Sequence, residues 1–83
     1  MNYYLYILYS LVYKKHYIGI TNNLEKRLNE HNAGKVFSTK PYGPYKLVYK
    51  EKYLNKTIAR KREIFLKKTA KARTELFASI NYK

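Results

Sequence analysis

The sequence predicts an α+β fold: a small three-stranded antiparallel sheet flanked by helices, in the order β-β-α-β-α-α. Three observations predict it. The chain opens on a run of aromatic and branched residues, and a shorter run of the same kind follows a two-lysine break. A third, alternating run lies between two amphipathic segments, each opened by an asparagine. At 83 residues there is room for one core, so residues 1–83 are expected to form a single domain in which binding and chemistry share one fold.

Each element has its own reason. Tyr3 to Tyr13 reads Y-Y-L-Y-I-L-Y-S-L-V-Y, rich in the residue types that strands prefer. Lys14-Lys15 breaks it, and His16 to Ile20 forms a second short strand, close enough to pair as an antiparallel hairpin. The continuous apolar character of the first strand predicts cover on both faces, hence a central place in the sheet. Asn22 and Asn23 offer N-caps for a helix to about Ala33, with Gly34 just past its end. Leu24 and Leu28 form its apolar stripe. Arg27 and His31 share the same i, i+4 spacing, and at about 100° per residue they fall beside that stripe.

Residues 35–45 read as a loop punctuated by Pro41, Gly43 and Pro44. Lys46 to Tyr53 alternates as a third strand, with Leu47, Tyr49 and Glu51 on one face and Val48 on the other. Asn55 caps a basic helix to about Lys68. Its expected inward stripe is Ile58, Ala59, Phe65 and Leu66, with Glu63 at the rim. Thr69 caps a last helix holding Ala70, Ala72, Leu76, Phe77 and Ile80.

Composition narrows the chemistry. Lys and Arg number 18 against five acids, a net charge of +13, which predicts a polyanionic partner: nucleic acid first, an anionic membrane surface second. The charge is uneven. Residues 1–13 carry none, whereas Lys50 to Arg73 hold ten Lys/Arg against two Glu. There is no cysteine, which removes disulfides, Cys-zinc sites and thiol nucleophiles. All five acids are glutamates, so an Asp-based two-metal cluster and a Ser-His-Asp triad are excluded. Three scattered glycines make no phosphate-cradling loop. No apolar run reaches the roughly 20 residues that cross a bilayer, and the N-terminus does not read as an export signal. The expectation is a soluble, cytoplasmic protein.

The residues now line up in a pattern. Tyr6-Ile7-Leu8 on the first strand is followed by Tyr17-Ile18-Gly19 on the second. Thr21-Asn22-Asn23-Leu24-Glu25-Lys26-Arg27-Leu28 and Glu30-His31-Asn32 come next. This arrangement resembles the GIY-YIG nuclease superfamily. It looks most like the small stand-alone bacterial members related to the nuclease module of the bacterial excision-repair endonuclease. The resemblance runs from Tyr3 to about Lys68, and Y-I-G-I-T-N-N-L-E-K-R-L-N-E-H-N is its most specific stretch. It implies that Tyr6 and Tyr17 are the motif tyrosines, Arg27 the helix arginine, His31 the histidine one turn later, and Glu63 in R-K-R-E the metal-binding glutamate. Two departures stand out. Tyr4 occupies the place of the first motif's glycine, and Asn81 is the only late asparagine available.

Phosphodiester hydrolysis needs an activated water and stabilisation of charge on the phosphate. A tyrosine titrates near 10, so Tyr6 or Tyr17 serves as a base only if nearby cations favour its phenolate. His31 is the competing base or relay. Arg27 offers a planar fork to two phosphate oxygens. Glu63 alone can hold one Mg²⁺ or Mn²⁺ if water and substrate oxygens fill the remaining positions. Lys15, Lys35, Lys40, Arg60, Arg62 and Lys67 are the expected phosphate contacts. Lys40, Tyr42 and Tyr45 of the long loop either meet a strand or stack on an unpaired base, or else form a solvated loop. Plainer readings stand beside these: Tyr6 and Tyr17 as core residues, Arg27 and His31 as a solvated helix face, and Glu63 as the partner of Lys67. His16, beside the turn, is expected to be exposed.

The functional expectation is a metal-dependent DNA endonuclease, structure-selective and linked to repair or recombination, with another protein supplying specificity. The alternative is a nucleic-acid-binding module on the same fold with weak or no cleavage. A membrane-surface protein comes third, because the basic helices carry only modest apolar stripes.

Overall fold

The computed structural model describes residues 2–37 and 39–80. Its elements run β1 (Tyr3–Ser10), β2 (His16–Thr21), α1 (Leu24–Asn32), a 3-10 turn (Lys40–Tyr42), β3 (Tyr45–Tyr53), α2 (Lys56–Lys68) and α3 (Ala70–Ser79). The sheet is antiparallel in the order β2-β1-β3, so the apolar first strand is central as expected. Asn81 lies outside the described residues.

The first strand is shorter than its sequence suggests. It ends at Ser10, whose hydroxyl accepts from the Tyr13 amide and donates to the Tyr42 carbonyl. Lys14, at φ 55°, closes the turn, and Leu11, Val12 and Tyr13 are left more than half exposed. Strand propensity continues to Tyr13, but the turn needs these residues to reverse the chain.

Both faces of the sheet are covered, which is why β1 is apolar throughout. On one face Leu5, Ile7, Ile18 and Leu66 form a buried cluster, with Ala72, Leu76, Phe77 and Ile80 of the α3 region packed on it. On the other, Tyr6, Leu8 and Tyr45 pack with Leu24 and Leu28 of α1 and with Tyr17, Tyr42 and Leu47. The alternation expected in β3 does not hold across its length. Leu8 pairs with Leu47 and Ile7 with Tyr49, so Val48 is an extra residue in a bulge. Leu47 therefore joins the Tyr6 face, while Val48 and Tyr49 both join the Ile7 face.

The helices start at local signals. Asn23, not Asn22, caps α1: its side chain accepts from the Lys26 amide. Asn55 caps α2 in the same way through the Ile58 amide. The inward line of α2 is Ala59, Glu63 and Leu66, at i, i+4 and i+7. Ile58 and Phe65 are 41% and 46% exposed, so the expected stripe is rotated by one residue. Glu63 is buried on that line instead of standing at its rim. Thr69 holds the N-cap position of α3 without a side-chain cap bond. Arg73 instead donates to the Leu66 and Lys67 carbonyls at the end of α2. Ala70 is exposed. His16 is not the exposed turn residue expected. Its ring stacks flat on Phe77, with centroids 3.9 Å apart.

Candidate active site

The site begins with a strand register. Tyr6 on β1 is directly opposite Gly19 on β2. The tyrosine ring crosses the space where a side chain at position 19 would stand. A Cβ on Gly19 would lie 2.5 Å from the Tyr6 hydroxyl and 3.1 Å from the Tyr17 ring. Glycine is needed here because the ring approaches the backbone so closely.

The Tyr6 hydroxyl is the hub. It lies 3.0 Å from His31 Nε2 and accepts from Arg27 Nε at 3.4 Å. Both partners come from α1, one turn apart, which the helix places on the same side. On the far side of the imidazole, His31 Nδ1 lies 2.7 Å from Thr39 Oγ1, and the threonine hydroxyl donates to the Val36 carbonyl. One tautomer uses every donor in this chain: His31 Nδ1–H donates to Thr39, and Nε2 accepts from Tyr6. Tyr17 lies alongside, its ring centroid 6.3 Å from that of Tyr6 and 5.0 Å from that of His31.

A cavity of about 450 Å³ opens at this point, with Tyr6, Tyr17, Gly19, Arg27, Glu30 and Glu63 among its lining residues. Glu63 enters from α2, with its side chain 11% exposed. It pairs with Lys67 at 3.1 Å and with Arg60 at 3.7 Å. The plain i, i+4 pairing thus exists alongside the carboxylate's place on the cavity wall. Glu30 pairs with Arg27 at 3.4 Å.

Burial dominates the electrostatics. It pushes the Tyr6 phenol up to about 12, although the hydrogen bond from Arg27 pulls the other way. The condition set for a phenolate base is opposed at Tyr6, where desolvation outweighs the one guanidinium beside it. Burial, and then the charge of Arg27, lowers His31 to about 4. At neutral pH the pair is a neutral phenol against a neutral imidazole.

The structure brings Tyr6, Tyr17, Arg27 and Glu63 to one cavity. His31, 1% exposed, is behind Tyr6 and is not a solvated helix residue. The expected phosphate contacts scatter more widely. Arg60 is on the cavity wall. Lys67 has its ammonium 5.9 Å from the Tyr17 ring centroid. Lys35 borders a neighbouring cleft along α1. Lys15 sits over the Tyr42 ring at 4.3 Å, and Lys40 lines a separate cavity with Phe37. Arg62 is a correction. It holds Glu51 in a two-pronged pair at 3.0 and 3.2 Å, and the Tyr49 and Tyr53 hydroxyls donate to the same carboxylate. Its guanidinium is committed to that cluster instead of to a phosphate. Tyr45 is a second correction: it is buried, and its hydroxyl donates to the Thr39 carbonyl.

Sequence reasoning missed Lys26, Lys56, Glu30 and Tyr3 on the cavity wall, and Thr39 behind it. Lys26 and Glu30 flank Arg27 on the same helix, and Lys56 follows the Asn55 cap, so proximity to the motifs was a usable signal. Thr39 carries no such signal, because it lies in an irregular loop.

The GIY-YIG catalytic domain matches residues 2–76 of this chain. A UPF0213 protein of Clostridium perfringens is 45% identical over 69 residues, covering 81% of this chain and 74% of its own length. One from Natronomonas pharaonis is 35% identical over 75 residues, covering 89% and 87%. One from Vibrio campbellii is 39% identical over 61 residues, and the match spans 72% of this chain and 59% of that relative's length. The solution NMR structure of a UPF0213 protein from Bacillus halodurans aligns with a TM-score of 0.57 at 30% identity, over 95% of this chain and 84% of that one. The neighbour has the fold described above, and with the family match extending over most of its residues, this chain belongs to the GIY-YIG family and is similar to its small UPF0213 members.

Proposed function

We propose that this protein is a divalent-metal-dependent endonuclease that hydrolyses DNA phosphodiester bonds. The single observation that carries the reading is the convergence of Tyr6, Tyr17, Arg27 and Glu63 on one cavity, with His31 bonded behind Tyr6. We read residues 1–83 as one nuclease unit.

The side chains divide the work. Tyr6 is a relay: its oxygen takes a proton from water as its own proton passes to His31 Nε2. This uses the neutral phenol that burial favours and needs no preformed phenolate. Tyr17 shares the wall and orients the attacking water. Arg27 sits beside the relay and meets the charge that develops on the phosphoryl oxygens. Among the described residues no three His or Glu side chains converge as a metal cage. Glu63 nonetheless fits a hard cation: a mostly buried carboxylate facing an open, water-accessible cavity is the kind of partial ligand set Mg²⁺ accepts. GIY-YIG nucleases generally use divalent metals. Such an ion, one Mg²⁺ or Mn²⁺, would supply Lewis-acid stabilisation of the phosphoryl oxygens and of the alkoxide that departs as the P–O bond breaks, which then takes a proton from solvent.

The charge of +13 supports sequence-independent binding to cytoplasmic DNA, with site choice left to DNA shape or to another protein and a place in repair or recombination. One observation favours a second reading, a binding module with little cleavage: Glu63 is already paired with two cations. The test is an assay on supercoiled plasmid, single strand, flap and four-way junction, with and without Mg²⁺ or Mn²⁺. Metal-dependent cutting of at least one form is expected. Tight binding without any cutting would replace the nuclease by the binding module.

A further inference from the structure

Phe37 is 94% exposed, an unusual position for a phenylalanine. It lines a cavity of about 470 Å³ with Lys40, Pro41 and Tyr42, and among the described residues this lining holds no carboxylate. The Tyr42 ring is held in place from two sides. Tyr13 meets it edge-on with centroids 5.4 Å apart, and the Lys15 ammonium lies 4.3 Å from its centroid. Its backbone carbonyl accepts from the Ser10 hydroxyl at 2.7 Å. Two aromatic rings, one exposed and one braced, therefore stand close to two lysines.

This patch is on the catalytic side of the sheet. Tyr42 and Tyr17 both pack against the cluster of Tyr6, Leu8 and Tyr45. Lys15 is two residues from Tyr17, about 7 Å of extended chain. The patch and the cavity thus share one side of the sheet, with Tyr17 on the cavity wall and Lys15, two residues earlier, over the Tyr42 ring.

We propose that Phe37 and Tyr42, flanked by Lys15 and Lys40, form a stacking platform for unpaired nucleotides of the strand that enters the catalytic cavity. Stacking on rings suits every base, because each has a π face, while the lysines take the phosphates. Paired bases are already stacked on one another and have no face to offer. The platform thus selects nucleic acid with a single-stranded segment beside the scissile position. This rests on the nuclease reading for the route of the strand, but its test is binding alone.

The experiment compares a short duplex carrying a single-stranded tail with the same duplex blunt-ended, in chelator, with a fluorescent purine analogue in the tail. The wild type should bind the tailed form about tenfold more tightly and quench the analogue. Phe37→Ala should abolish the preference and the quenching while leaving blunt-duplex affinity unchanged. Phe37→Tyr should keep both. Because Phe37 is exposed, its truncation opens no hole in the core, and the retained blunt-duplex affinity checks the fold directly. An unchanged preference in Phe37→Ala would overturn the platform and leave the nuclease untouched. Equal loss on both DNAs would overturn it too, as would a wild-type dimer that becomes a monomer in Phe37→Ala, which would assign the patch to self-association. Failure to bind any nucleic acid would overturn both the platform and the nuclease reading.

Discussion

Gly19 and Tyr6 face each other across two strands, and the space that glycine leaves is filled by the ring that reaches the cavity. From that ring a chain of hydrogen bonds runs inward to His31, Thr39 and the Val36 carbonyl. The imidazole is consequently buried and neutral, lowered from 6.5 to about 4. The unfolded chain takes up a proton near 6.5, whereas the native one resists until about pH 4. The contribution of His31 to stability is therefore complete above 6.5 and lost as pH falls from there through about 4. His16, also lowered by burial, acts in the same direction. Melting temperature measured against pH should fall across this window. His31→Gln, which keeps a polar group toward Tyr6, should flatten the fall more than His16→Gln does. An identical slope in wild type and His31→Gln would mean that the imidazole takes up its proton as readily in the native state as in the unfolded one.

The elements are joined by side chains that bond to backbone. Asn32, the last residue of α1, clamps the start of β3: its Oδ1 accepts from the Tyr45 amide at 2.7 Å, and its Nδ2 donates to the Tyr45 carbonyl at 3.1 Å. This fixes the helix bearing Arg27 and His31 against the sheet bearing Tyr6. Asn32→Ala should cost about 1–3 kcal/mol in urea denaturation with an unchanged denaturant slope. A loss below about 0.5 kcal/mol would mean that water satisfies Tyr45 as well as the clamp does. Such links also mark the limit of what sequence shows. The caps at Asn23 and Asn55 were legible because a cap is a local bond, three residues long. The site residues were legible as an ordered motif on β1, β2, α1 and α2. The bulge at Val48 was not, because alternation counts residues while pairing is decided by the neighbouring strand. The same holds for the Glu51–Arg62 cluster and for Thr39, whose partners are distant or lie in an irregular loop. The stripe of α2 was misplaced because Glu63 was not counted as an inward residue. Its two cationic partners allow a carboxylate to occupy that line.

At the scale of the molecule, sheet and helices divide labour by face. One face, under α2 and α3, is an apolar core. The other, under α1, holds Tyr6 and Tyr17, and α2 brings Glu63 to the same cavity. Among the described residues no helix is long and apolar enough to cross a membrane. The positive charge is not one uniform surface, since Arg62 is held by Glu51 and Lys67 by Glu63. Arg60 is paired too, yet it stands on the cavity wall with its side chain 62% exposed. In the proposed reading Arg60 serves binding and Glu63 the chemistry, and a single substitution should separate the two. Binding and cleavage of one DNA form should be measured side by side for the wild type and Glu63→Ala in Mg²⁺. The predicted result is cleavage by the wild type, loss of cleavage in Glu63→Ala, and nearly equal affinity for both. Equal cleavage by the two proteins would contradict the role of Glu63 and, with it, the assignment of the cavity as the active site.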